Sequence, residues 1–408
     1  MRDLILLRQL QSLPLRAKVT MAEQRIMEWY EHFDGKVVIS FSGGKDSTVL
    51  THLVHSIYPD VPLVFANTGL EYPEIQAFAK KMGAEFVRPK MQFSEVISTY
   101  GYPLISKEVA QAIYAARHIY SVSRKANPSV NTFDGSWKLE RSERTTKRME
   151  FLGKRTIGAG TTYERAQDEF NGALNAENIN YKKSAFFNKT KWLPLLQNTQ
   201  FQISHYCCDV MKKGPIKKYK KQTGLKNYVG SMADESKLRE NTWIKYGCNT
   251  FEGIKQSSKP MSLWTEQDVL HYILKNNLEI CSVYGDIMAV DENDCLYTPI
   301  PGIDCTLKCT GCQRTGCIFC LFGCHLEKKG ITKFQALAQS HPKQYEYCMG
   351  GGQWVDNPKY VPAAPEYDGD WKIWNPKKIW VPSKKGLGMK KVIDDCNQLY
   401  GKDFIRYE

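Results

Sequence analysis

A single turn constrains this chain more than any other feature. Residues 41 to 50 read FSGGKDSTVL, with two glycines, a lysine, an aspartate and a serine in succession. The preceding run Lys36-Val37-Val38-Ile39-Ser40 predicts a buried strand, and Val49, Leu50, Leu53, Val54 and Ile57 predict one apolar helix face. A glycine-rich turn therefore joins a strand to a helix. Gly43 and Gly44 can take backbone angles closed to other residues, so successive N–H groups can converge on an anion. The helix start adds unpaired donors and the positive end of its dipole. Lys45 adds a mobile charge, and Ser42 and Ser47 add hydroxyls. The spacing G-x-x-x-x-G-K-[ST] is not met, because Ile39 stands where its first glycine belongs and Asp46 follows the lysine. Such a turn can also be a plain connection; its polar residues point instead to a phosphate seat.

Around the turn, strand and helix patterns alternate in the βαβ manner. Residues 61–67 and 84–89 predict strands. Residues 73–82 predict a helix with Pro73 at its first position and Ile75, Phe78, Ala79 and Met82 facing inward, and residues 107–120 predict another. The expected fold class is α/β, an open, mostly parallel twisted sheet with helices on both faces. From about 121 to 195 the rhythm breaks. Arg124, Lys125, Lys138, Arg141, Arg144, Lys147, Arg148, Lys154 and Arg155 mark a basic insertion, read either as a nucleic-acid contact or as a solvated face. Residues 227–236 predict a strand running into a loop. Residues 264–277 predict a helix opened by Thr265 and Asp268, with Val269, Leu270, Ile273 and Leu274 as its stripe. Past 350, tryptophans alternate with prolines in what reads as an extended arm, and Met389, Val392, Ile393, Cys396 and Leu399 make a last amphipathic helix. The expected segments are 1–120, with the nucleotide-binding half; 121–195, the insertion; 196–304, the rest of that domain; 305–330, cysteine-rich; and 331–408, a helical, Trp/Pro-rich extension.

A chain of 408 residues with 42% hydrophobic and 24% charged residues can bury a large core. No apolar run is long enough to cross a bilayer, and the N-terminus lacks a signal-peptide pattern, so a cytoplasmic location and no membrane partner are expected. The net charge of +13 favours polyanionic company such as nucleotides or nucleic acid. Thirteen cysteines without an export signal argue against a disulfide framework, and the crowding of residues 305–324, CTLKCTGCQRTGCIFCLFGC, suggests metal ligation.

SGGKDS resembles the PP-loop of the adenosine-nucleotide alpha hydrolases, and further segments resemble the phosphoadenosine-phosphosulfate (PAPS) reductase family within them. NTGLEYPEI (67–75) is similar to its D-T-G-x-x-x-P-E-T, HYCCDVMKKGPIKKY (205–219) to its C-C-x-x-x-K-x-x-P, and GSMADESKLRE (230–240) to its G-x-R-x-x-x-S-x-x-R. KPMSLWTEQDVLHYI (259–273) is similar to P-L-x-x-W-T-x-x-D-V-W-x-Y-I, and TGCIFC (315–320) supplies a late C-x-x-C. These motifs keep family order over roughly 36 to 325. The resemblance implies ATP or a related adenosine nucleotide held by Ser42, Gly43, Gly44, Lys45, Asp46, Ser47, Thr68, Gly69 and Arg239, with Lys45, Asp46 and Ser47 catalytic and Asp46 helping to hold Mg2+. Two departures stand out. Met232 replaces the arginine of G-x-R, and the chain ends YGKDFIRYE without the E-C-G-x-H segment that carries a reductase's attacking cysteine.

By resemblance to assimilatory adenylylsulfate reductases, Cys207, Cys208, Cys317 and Cys320 would hold a [4Fe-4S] cluster. A competing local set is Cys309, Cys312, Cys317 and Cys320, whose spacing also suits zinc. Cys305, Cys309 and Cys312 also echo the spacing of radical enzymes that use S-adenosylmethionine, but no barrel follows. Cys248, Cys281, Cys295 and Cys348 read as packed side chains, as does Cys396. Three functions remain open. The first is an ATP pyrophosphatase that activates an acceptor, DNA or tRNA, for displacement by a sulfur donor. The second is a reductase of PAPS or adenylylsulfate using a thioredoxin-like reductant. The third is a non-catalytic nucleotide- or nucleic-acid-binding module.

Overall fold

The structure is a computed structural model that describes residues 3–117, 120–122, 139–141, 189–253, 256–292, 295–299, 305–360, 362, 366–368, 371–372 and 374–408. Most of the basic insertion proposed for 121–195 lies outside them. The chain divides into two compact units, Met1–Lys90 with Val210–Ile318, and Met91–Asp209 with Phe319–Glu408. Among the described residues no helix is long and apolar enough to cross a membrane.

The first unit is built on a six-stranded sheet. Its order is Glu85–Val87, Leu63–Ala66, Val37–Phe41, Lys226–Val229, Ser257–Ser258, Asn249–Thr250, and every pairing is parallel except the last. Val37, Val38 and Ile39 are all fully buried, as expected of a central parallel strand covered on both faces. Alternation along that strand sorts its neighbours. Val38 and Val64 pack with Tyr219 of the helix Gly214–Thr223, while Phe41 meets Phe78 of the helix Pro73–Lys81 on the other face. Tyr228 Oη donates to Ile26 O of the helix Leu15–His32 at 2.8 Å. An open, mostly parallel α/β sheet with helices on both faces is what the alternation of patterns predicts. The strand order reverses between Val37–Phe41 and Lys226–Val229, which places a crevice at the carboxyl ends of those two strands.

Local expectations fare well where a cap or a buried face defines them. Thr265 caps the helix Glu266–Lys275, accepting from Asp268 N while the Asp268 carboxylate accepts from Thr265 N. Val269, Leu270 and Ile273 are buried, but Leu274, in the last turn, is 42% exposed. A small antiparallel sheet, Leu296–Tyr297, Ile287–Val290, Thr306–Cys309, follows. Cys295, expected to be packed, is exposed because it sits in the turn joining two of these strands, where its N–H donates to Asp291 Oδ1.

In the second unit the helix predicted over 107–120 ends at Arg117, and Tyr120–Val122 pairs antiparallel with Leu139–Arg141 instead. Pairing of a β-prone tripeptide overrides the helical continuation. The buried Arg117 guanidinium donates to the carbonyls of Leu195, Leu196 and Phe201 and to Thr199 Oγ1, with the Trp374 ring 4.3 Å away. The Trp/Pro-rich arm is a β structure rather than plain extended chain. Gln353–Asp356 pairs with Lys378–Val381, and Trp374 Nε1 and Trp380 N donate to the carbonyls of Thr199 and Gln200. The final helix Met389–Tyr400 buries Met389, Val392, Ile393 and Cys396, so Cys396 is a core residue.

Candidate functional site

The predicted phosphate seat forms at the end of the strand Val37–Phe41, where the chain turns into the helix Lys45–His55. Gly43 has φ +71, and a Cβ there would stand 2.7 Å from Ile75 Cγ2, so only glycine fits. Gly44 is the cap residue before the helix, and a Cβ on it would lie 3.1 Å from Tyr284 Oη and 3.3 Å from Thr315 Oγ1. Ser42 and Ser47 close the turn: Ser47 Oγ accepts from Ser42 N (3.2 Å), lies 3.0 Å from Ser42 Oγ and donates to Gly44 O (2.9 Å).

Lys45 is the centre of the site. Although only 4% exposed, its ammonium meets Glu266 at 2.9 Å, donates to Gln313 O at 2.8 Å and lies 5.3 Å from the centre of the Tyr284 ring. Its backbone N–H donates to Tyr284 Oη (3.2 Å), which in turn is 2.7 Å from Thr315 Oγ1. Burial pushes the Asp46 carboxyl above the ordinary aspartate range; Lys45, Arg239 and Arg314 oppose that shift and Glu266 adds to it. Asp46 Oδ1 is buried with no hydrogen-bond partner among the described residues. Gly230, just past the strand Lys226–Val229, lets that loop reach the same helix start: a Cβ there would be 3.0 Å from Asp46 O.

Arg239 reaches the neighbourhood of Asp46 and Arg314 while pairing with Glu235. Met232, at the family's arginine position, is buried, and its N–H donates to Glu235 Oε1 at 2.9 Å. Thr68 and Gly69 form a tight turn of their own. Thr68 N and Oγ1 both donate to Glu71, Leu70 N donates to Thr68 Oγ1, Gly69 N donates to Asn67 Oδ1, and Gly69 has φ +73. Glu266, Tyr284, Gln313, Arg314 and Thr315 are absent from the sequence-based site. Only Glu266 carries a local signal, following the cap residue Thr265.

The cysteines separate. Cys309 is buried near Lys45, Glu266 and Asp46, and burial raises its thiol. Burial raises the Tyr72 phenol, and the neighbouring Cys312 thiol adds to that shift. In the second unit Cys207 and Cys208 bring their sulfurs to 3.9 Å, and the Cys320 carbonyl accepts from Lys333 Nζ at 2.8 Å. Cys317 belongs to the first unit. Among the described residues, no three or more Cys, His, Asp or Glu side chains converge as a metal site. Thiols of the right chemistry are present, among them the adjacent pair Cys207–Cys208.

A glycine-rich turn at a strand's carboxyl end, a helix capped by the threonine of W-T-x-x-D and a cysteine-rich loop reaching Lys45 define an open α/β class with a PP-loop-like turn. The profile of the phosphoadenosine phosphosulfate reductase domain matches residues 36–207 and 183–321, and the chain belongs to that family. The phosphoadenosine 5'-phosphosulfate reductase of Serratia proteamaculans is 42% identical over 62 residues, 15% of this chain and 25% of that protein. That of Photorhabdus laumondii is 37% identical over 68 residues, 17% and 28%. An uncharacterised Methanocaldococcus jannaschii protein is 24% identical over 234 residues, 54% of this chain and 47% of that one. The chain thus spans from a quarter to about half the length of these relatives. A solved phosphoadenylyl-sulfate reductase from Candida auris, in complex with phosphate, aligns over 64% of this chain and 82% of its own, with 10% identity and a TM-score of 0.30. The fold assignment rests on the strand order itself.

Proposed function

We propose that this protein binds ATP or a related adenosine nucleotide through residues 42 to 47 and releases pyrophosphate, activating an acceptor for sulfur transfer. One observation carries this reading: a buried lysine and a buried, unpartnered carboxylate oxygen sit side by side at the glycine-rich start of a helix. Helix N–H groups and Lys45 would take the charge of the departing phosphates. The orphaned Asp46 Oδ1 fits a divalent cation, and Mg2+ held there would offset phosphate charge. Ser42 and Ser47 would exchange their mutual hydrogen bond for phosphate oxygens. Thr68, Gly69 and Arg239 would border the nucleotide. The acceptor and the sulfur donor belong to this proposal, and a nucleic acid is offered as acceptor on charge alone. As the resemblance to iron–sulfur members of the family implies, Cys207, Cys208, Cys317 and Cys320 would hold a [4Fe-4S] cluster, which would supply electron transfer or rigidity.

Reduction of PAPS or adenylylsulfate is the second reading, favoured by the names of the bacterial relatives. Met232, which offers no charge to a sulfonucleotide's phosphates, weighs against it. The test offers ATP, adenylylsulfate and PAPS separately to the anaerobic protein, with and without nucleic acid and a thioredoxin-like reductant, and measures pyrophosphate and sulfite. Pyrophosphate from ATP, lost in Lys45→Ala, supports the first reading; reductant-dependent sulfite replaces it with the second. Binding without either product leaves a nucleotide-binding module. Iron analysis tests the cluster: about four irons per chain, lost in Cys207→Ser, is the expected result.

A further inference from the structure

The loop 313–315 closes on the phosphate seat from outside the PP-loop. Gln313 O accepts from Lys45 Nζ at 2.8 Å, and Thr315 Oγ1 joins the Tyr284 hydroxyl that receives Lys45 N–H. Thr315 also lies 3.3 Å from where a Cβ on Gly44 would be. Arg314 stands between these two contacts. Its side chain is exposed and makes no hydrogen bond or ion pair among the described residues. The other two cations of the site are already compensated, Lys45 by Glu266 and Arg239 by Glu235. Arg239 and Arg314 are near enough that each feels Asp46, and Arg314 disfavours the charge on Arg239. Two guanidinium groups that both act on Asp46, one of them on the loop that closes on Lys45, suit a polyanion.

Resting on the nucleotide-binding reading above, we propose that Arg314 is a binding residue for the phosphates beyond the first, working with Arg239 and supplying the charge that Met232 does not. The ligand class is a nucleoside polyphosphate or inorganic pyrophosphate, gripped through its distal phosphates. A nucleoside monophosphate has no group to fill this clamp. The cysteine-rich segment thereby acts on the nucleotide through its arginine, independently of any metal its thiols hold.

The experiment is titration calorimetry of the full chain with ATP, inorganic pyrophosphate and AMP, for wild type, Arg314→Gln and Arg314→Lys. An exposed side chain with no protein partner can be replaced without loss of fold, which unchanged thermal unfolding verifies. Arg314→Gln is expected to weaken pyrophosphate and ATP about tenfold or more and to leave AMP unchanged. Arg314→Lys is expected to fall between, keeping charge but not the planar fork. Equal affinities of wild type and Arg314→Gln for pyrophosphate and ATP overturn this inference alone. A loss that is as large for AMP overturns it too, because the contact is then not to the distal phosphates. A wild-type protein that takes up none of the three ligands overturns the nucleotide-binding reading, and this inference with it.

Discussion

Replacing Asp46 with asparagine is expected to stabilise the protein while weakening its hold on a Mg2+-bound nucleotide. Burial raises the Asp46 carboxyl above the ordinary aspartate range, and Oδ1 has no partner among the described residues. The folded chain therefore binds the Asp46 proton more tightly than the unfolded chain does. The stability this group contributes is fully present below the ordinary aspartate range and is lost as pH rises through the raised folded value. At pH 7 the carboxylate is a cost, repaid in part by Lys45. A buried polar group without a partner costs about 1–3 kcal/mol, and an amide still leaves a polar atom there. A net gain near the low end, about 1 kcal/mol, is expected, or roughly 2–4 °C in the unfolding midpoint of a unit this size. The assay is thermal unfolding of both proteins across pH, with and without Mg2+ and ATP. The gain should be largest near neutral pH and shrink as pH falls below the Asp46 value, where acid and amide are both neutral. Ligand-induced stabilisation should be lost in the variant. Destabilisation at pH 7, or a gain that grows on acidification, would refute the reasoning.

Gly43→Ala should abolish nucleotide binding and lower the unfolding midpoint, because φ +71 and the 2.7 Å approach of Ile75 Cγ2 leave no room for a methyl group; calorimetry and thermal unfolding check both. Glu266→Gln should tighten nucleotide binding by a few-fold, since Glu266 competes with phosphate for Lys45 at 2.9 Å, and the affinity of the two proteins for ATP decides it. Arg117→Ala should cost about 3 kcal/mol or more in chemical denaturation, because it takes the side-chain donor from the buried carbonyls of Leu196 and Phe201 and leaves that of Leu195 with Thr199 Oγ1 alone; a change below about 1 kcal/mol would show that other donors or water replace it.

What could be read beforehand follows from the range over which each cause acts. The strand, turn and helix around Gly43–Gly44 are set by neighbours within a few residues, and so is the Thr265–Asp268 cap. Those expectations survive contact with the structure. The Lys45 environment is not of this kind. Glu266 lies 221 positions along the chain, Tyr284 239 and Gln313 268, and no periodicity or cap joins them to the PP-loop. Family motifs reach across such distances only where they carry a residue by name. They carried Arg239 and the cysteines, and flagged Met232 as a missing charge. They had nothing to say about Arg314, which lies inside a segment whose cysteine crowding points to metal.

Met232 shows how a local substitution and a distant residue bear on one another. Its side chain is buried and its N–H is tied to Glu235, the same carboxylate that pairs with Arg239. An arginine in that buried place would have to compete for Glu235 or push its charge into the seat. With methionine there, Arg239 keeps its partner and the surplus positive charge at the mouth of the seat is left to Arg314. On the proposed assignment of Arg314, the seat would be cationic at its rim and paired at its floor, which would favour a chain of phosphates over a single one.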